Sequence, residues 1–92
     1  MNTTNFTENI VRVTWVDAET IGDSSWQDLD ETLEASEAEP PIMTTVGFVM
    51  GEYATHISLT DSIGTKECGH LTKIPRVMIK QIEILKEKVN ED

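Results

Sequence analysis

The most reactive side chains in the closest order are Cys68-Gly69-His70, a thiol and an imidazole two residues apart. In a strand they would share a face, and a paired thiol and imidazole is the start of a nucleophile or half of a metal site. A glycine-bracketed loop, Gly64 to Gly69, holds this triplet, so the plainer reading is a loop thiol beside a surface histidine. Catalysis also needs a base and an orienting group within reach. The remaining inventory, His56, Asp17, Asp28 and Asp61, has no recognised catalytic spacing. There is no second Cys/His pair for zinc, no HExxH, no GxSxG and no phosphate-cradling glycine loop. The expectation is a chain that is not an enzyme, with no cofactor and no metal.

Two other groups of residues could bind rather than react. Lys73 and Arg76, with Lys66 nearby and with His56 and His70, could receive a phosphate or carboxylate, one cluster per subunit around an oligomer. Trp26 could add a stacking surface for a nucleotide base. The plainer readings are charge neutralisation and core packing, with Trp15 and Trp26 packed together where a helix caps the sheet. The second group is acidic. Nine acids and no base lie between Asp17 and Glu39, and Asp28, Asp30, Glu31, Glu34 and Glu37 fall on a predicted helix. Asp17, Glu19 and Asp23 could hold calcium or magnesium, although the EF-hand pattern is missing and a solvated loop is the better reading.

These residues sit in a chain of 92 residues, enough for one domain that buries roughly 60–65% of its unfolded surface. Self-association would add buried area, so a homo-oligomer is expected. Net charge is −10, and all of it falls in residues 1–52, which hold 11 acids and the single base Arg12. Residues 53–92 hold 6 acids and 6 bases. This balance argues against duplex nucleic acid as a partner. A single cysteine allows no internal disulfide and suits a reducing cytosol. Met1 to Glu8 lacks the charge and apolar pattern of a leader, and no apolar run reaches the ~18 residues of a membrane span.

Periodicity predicts a mainly β chain. Ile10 to Val16 alternates as a strand, with Val11, Val13 and Trp15 on one face. After a turn at Gly22 to Ser25, a helix is predicted from Trp26 to Ala35, capped by Ser25 with Asp28 three residues on, its apolar row Trp26, Leu29 and Leu33. Pro40-Pro41 ends it. Ile42 to Met50 reads as a central strand, apolar on both sides, with a bulge or bend at Gly47. Gly51 to Ala54 is a hairpin connection. Thr55 to Ile63 alternates Ile57, Leu59 and Ile63 against His56, Ser58, Thr60 and Ser62, the latter wet or in an interface. His70 to Ile74, a 3₁₀ turn at Pro75, and Ile79 to Leu85 complete the order. The domain spans 9–86, between a flexible arm over 1–8 and a loose tail over 87–92.

The bent strand with Gly47, the hairpin "VGFVMGEYATHISLTDSI" and the "IPR" turn before "IKQIEIL" resemble the core of a small five-stranded barrel of the SH3-like or Sm-like kind, here with one short helix inserted after the first strand. With "VRVTWVDAET", the chain from Val11 to Leu85 resembles small uncharacterised proteins of tailed bacteriophages. That resemblance implies a phage gene acting in a host bacterial cytoplasm, and no activity. The expected function is a phage accessory protein that binds a host protein through its acidic helix. The alternative is a counter-defence sponge that holds a small anionic, nucleotide-like signal in an oligomeric pocket.

Overall fold

The computed structural model describes residues 7–87; residues 1–6 and 88–92, which hold most of the expected arm and tail, lie outside the described residues. Five strands make one antiparallel sheet: β1 (Ile10–Val16), β2 (Ile42–Glu52), β3 (His56–Thr60), β4 (Leu71–Pro75) and β5 (Ile79–Lys86). Their spatial order is β4-β3-β2-β1-β5, so the sheet is open, with β4 and β5 at its edges. One helix, α1 (Leu29–Glu37), lies between β1 and β2 in sequence, and a 3₁₀ turn, Arg76–Met78, joins β4 to β5.

Alternation and register build the core. Val11 stands between Gly47 and Ile84, and Val13 between Thr45 and Ile82. Val49 faces Leu59, and Ile57 faces Ile74. Val11, Val13, Val49, Ile57, Leu59 and Ile74 form one buried cluster, with Trp15, Ile79 and Ile82 packed against it. Strands β1 and β4 are separated by two others yet share this core, so the sheet is strongly curled. Trp15 keeps its indole N–H satisfied by donating to Thr45 Oγ1 at 3.0 Å.

Gly47 works differently from the expected bulge. Pairing with β1 runs unbroken through it, and the register shift of β2 against β3 falls between Val49 and Gly51. What Gly47 permits is close approach: a Cβ there would lie 2.8 Å from the Thr60 carbonyl oxygen and 3.3 Å from Leu59 Cβ. The expected third strand is cut short at Thr60, and Ile63 pairs only in an isolated bridge with Cys68. The face expected to be wet or in an interface is buried at Ser58 and Thr60, while His56 is half-buried and Ser62, beyond the strand, is exposed. In register, Ser58 lies between Gly51 and Lys73, and Thr60 between Phe48 and Leu71. Pro75 is the last residue of β4, one further than expected, where an edge strand tolerates a residue with no N–H, and the 3₁₀ turn starts at Arg76. The last strand runs one residue further than expected, to Lys86.

The helix also differs. Ser25 is not its cap: its N–H and its hydroxyl both go to Asp23 Oδ1, at 2.8 and 2.5 Å. Asp28 is the N-cap, accepting from the Glu31 N–H at 3.0 Å, and the helix runs on to Glu37. Trp26 therefore precedes the helix. It is 100% exposed, so it does not pack with Trp15. No residue of α1 is buried. The molecule measures 64 × 24 × 23 Å, with a radius of gyration of 17.9 Å. A compact chain of this length would have about 12 Å.

Candidate functional site

The insertion leaves the sheet where β1 ends and β2 begins, closed there by the Asp17 N–H donating to the Pro41 carbonyl at 3.0 Å. Its helix sorts its side chains by period. Asp30, Glu34 and Glu37 fall four and three residues apart on one side. Leu29 and Leu33 fall four apart beside them, 70% and 56% exposed. The third side, Asp28, Glu31, Thr32 and Ala35, faces Glu19 and Ile21 across a solvent-open concavity of about 440 Å³. Sequence reading missed Glu19, Ile21, Thr32 and Ala35 as one wall, because the 17–27 loop has no period to align with the helix.

The energetics of this helix are poor. Nine residues is short of the ~12–15 that an isolated helix needs to be marginally stable. Glu34 and Glu37 stand at the negative end of the dipole, and the last turn holds no base. Asp30 and Glu34 add a like-charge pair, unfavourable by roughly 0.2–0.5 kcal/mol. Against these stands the Asp28 cap; ahead of the helix, Asp23 ties down the turn through Ser25 and Gln27. Asp23 is held below the ordinary aspartate range first by its bond from the Ser25 hydroxyl and then by the Ser25 N–H.

Of the basic candidates only Lys73 lies in β4; His70 precedes that strand, Arg76 opens the 3₁₀ turn after it, and His56 begins β3. Arg76 is engaged inside the chain: its Nε donates to the Tyr53 carbonyl at 2.7 Å and its Nη2 lies 3.6 Å from Glu52 Oε1. Its backbone N–H donates to the Thr55 carbonyl. His56 is adjacent, pairing with Pro75 in register and stacked on Tyr53 at 4.9 Å. Lys73 lies mid-strand, opposite Ser58. His70 is beyond the far end, six residues from Arg76, about 20 Å at strand rise. The fold brings His56 and Arg76 together. It leaves His70 at the opposite end and Trp26 off the sheet.

Cys68 and His70 are both exposed, and His70 pairs with Asp61 rather than with the thiol, Nδ1 to Oδ2 at 3.3 Å. Gly69 makes that contact sterically accessible, because Asp61 Oδ1 occupies the space a Cβ on Gly69 would fill. The bond to His70 is the main cause that lowers the Asp61 pKa. Among the described residues, no group of three His, Cys, Asp or Glu side chains is placed to hold a metal, and no helix is long and apolar enough to cross a membrane. The acidic, unpacked insertion is thus the candidate site. Compared with protein-family models, with curated proteins and with solved structures, the chain matches none.

Proposed function

We propose that this chain is a non-enzymatic binding protein that engages a partner protein through the carboxylates of α1, Asp30, Glu34 and Glu37 foremost, with Asp28 and Glu31 beside them. The observation that carries this reading is the helix itself: every residue is exposed, its outer side is a row of acids, and its last turn holds no base. Such a row presents an unneutralised field, which steers association with a basic surface and fixes its orientation.

The strand order β4-β3-β2-β1-β5, with a 3₁₀ turn before the last strand, supports reading the curled sheet as an open small barrel of the SH3-like or Sm-like kind. On the phage origin that the resemblance implies, the partner is a protein of the host bacterium, met in its cytoplasm. The sponge alternative rests on His56, His70, Lys73, Arg76 and Trp26. It requires clusters from neighbouring subunits, since one chain spreads these residues apart.

The test is capture from host lysate by the immobilised full chain, with the captured protein then identified and purified. Lysine at Asp30, Glu34 and Glu37 together should abolish capture, and added salt should weaken it steeply. Unchanged binding by the reversed variant sinks the reading.

A further inference from the structure

We infer that the apolar side of the insertion docks on the outer sheet face of a second copy of this chain, the two copies exchanging helices reciprocally. The donor side is Leu29 and Leu33, on a helix with no buried residue, together with Trp26 two residues ahead of the Asp28 cap; all three are exposed. The receiving face is on the same molecule. Opposite the core, β1 and β2 pair Arg12 with Val46, Thr14 with Thr44, and Val16 with Ile42. Val46 and Ile42, both on β2, are 53% and 52% exposed there, where an outer face is ordinarily polar. One chain thus carries both an uncovered apolar row and an uncovered apolar patch on its outer sheet face.

The chain cannot easily bring its own two halves together. Only Ala38 to Pro41 join α1 to β2, and Pro40-Pro41 hold that link extended. A helix held off its own sheet by a short stiff link is the arrangement that favours exchange between copies. Charge bears on which face is met. The acids that flank the row have no base of their own between residues 17 and 39. On the receiving face Arg12 is already paired with Glu83, Nη2 to Oε1 at 2.7 Å, and Lys86 shares that face beside Ile10. Helix against helix would instead set two acidic rows together. Area agrees with a second copy. Trp26 alone offers about 250 Å². With the two leucines and the Val16, Ile42 and Val46 patch, each copy contributes on the order of the ~800 Å² of a standard interface. Docked this way, Glu34 stays furthest of the three acids from the contact, about 100° around the helix from Leu33, while Glu37 and Asp30 border it.

The experiment is native mass spectrometry with light scattering on the full chain over a concentration series. Wild type should be a dimer. Trp26→Gln with Leu33→Gln should weaken it at least about tenfold, and Val46→Glu alone should do the same. Neither change touches the buried core, and unfolding midpoints check that. Mixing the two defective variants should restore part of the dimer, because one intact row then meets one intact face. A wild-type monomer at about 100 µM, a concentration at which even weak interfaces associate, overturns the inference. A dimer that survives both substitutions, or a mixture that does not recover, also overturns it. Because the acid-to-lysine variant leaves this row intact, loss of partner capture and loss of the dimer are separate results.

Discussion

Replacing Gly47 with alanine tests whether β2 and β3 meet as closely as the sheet requires. The added Cβ would sit 2.8 Å from the Thr60 carbonyl oxygen, where ordinary contact is 3.4–4 Å. Thr60 is 2% exposed and held in register between Phe48 of β2 and Leu71 of β4, so its backbone has little room to yield. Overpacking of this kind costs about 1–3 kcal/mol. Gly47 does not have a positive φ, so alanine also recovers about 0.4–1 kcal/mol by restricting the unfolded chain. The expected net loss is about 1–2 kcal/mol, which lowers the melting temperature by roughly 4–16 °C in a domain of this size. Urea denaturation read by Trp15 and Trp26 fluorescence measures it. Gly51→Ala is the comparison, because its Cβ would meet the Tyr53 ring, a side chain that can swing outward. It should cost less than Gly47→Ala. Equal or higher stability in Gly47→Ala refutes the packing argument.

Asp28→Ala removes the cap of a helix that buries nothing, so it should cost about 1 kcal/mol locally. Amide exchange across residues 32–37 should rise while the global unfolding midpoint of monomeric protein stays fixed. Thr45→Val leaves the Trp15 indole N–H without its acceptor and should destabilise the fold by about 1–2 kcal/mol in the same urea assay. Because Asp61 titrates below its ordinary value, the Asp61–His70 contact stabilises the hairpin above the unfolded aspartate pKa. That stabilisation is lost as pH falls through the folded-state value. A carboxyl-detected titration should give a lower Asp61 midpoint in wild type than in His70→Ala, and equal midpoints would remove the contact. Arg76→Ala deletes the bond to the Tyr53 carbonyl and should loosen the β2–β3 connection, seen as faster amide exchange at Tyr53 and His56.

Strand content was readable wherever period two met β-branched residues. Ile10–Val16 was found to the residue, and Ile42 onward was recognised as central because it is apolar on both sides. The 3₁₀ turn followed from Pro75. Helix boundaries were misjudged for a local reason: Ser25, Asp23 and Asp28 are all good caps, and sequence cannot say which hydroxyl a neighbouring carboxylate has already taken. The basic cluster looked compact because Lys73 and Arg76 are close in sequence. An extended strand instead separates neighbours by about 3.3 Å per residue and carried His70 away.

Residue order alone determined the acidic first half, the absence of the recognised catalytic motifs and the β-rich character, since charge, residue type and period are properties of the chain. Only the tertiary structure decided that Trp26, Leu29 and Leu33 are left uncovered. An apolar row reads the same whether it lies on its own sheet or projects into water, and the choice depends on a four-residue proline link and on the direction in which the curled sheet presents its outer face.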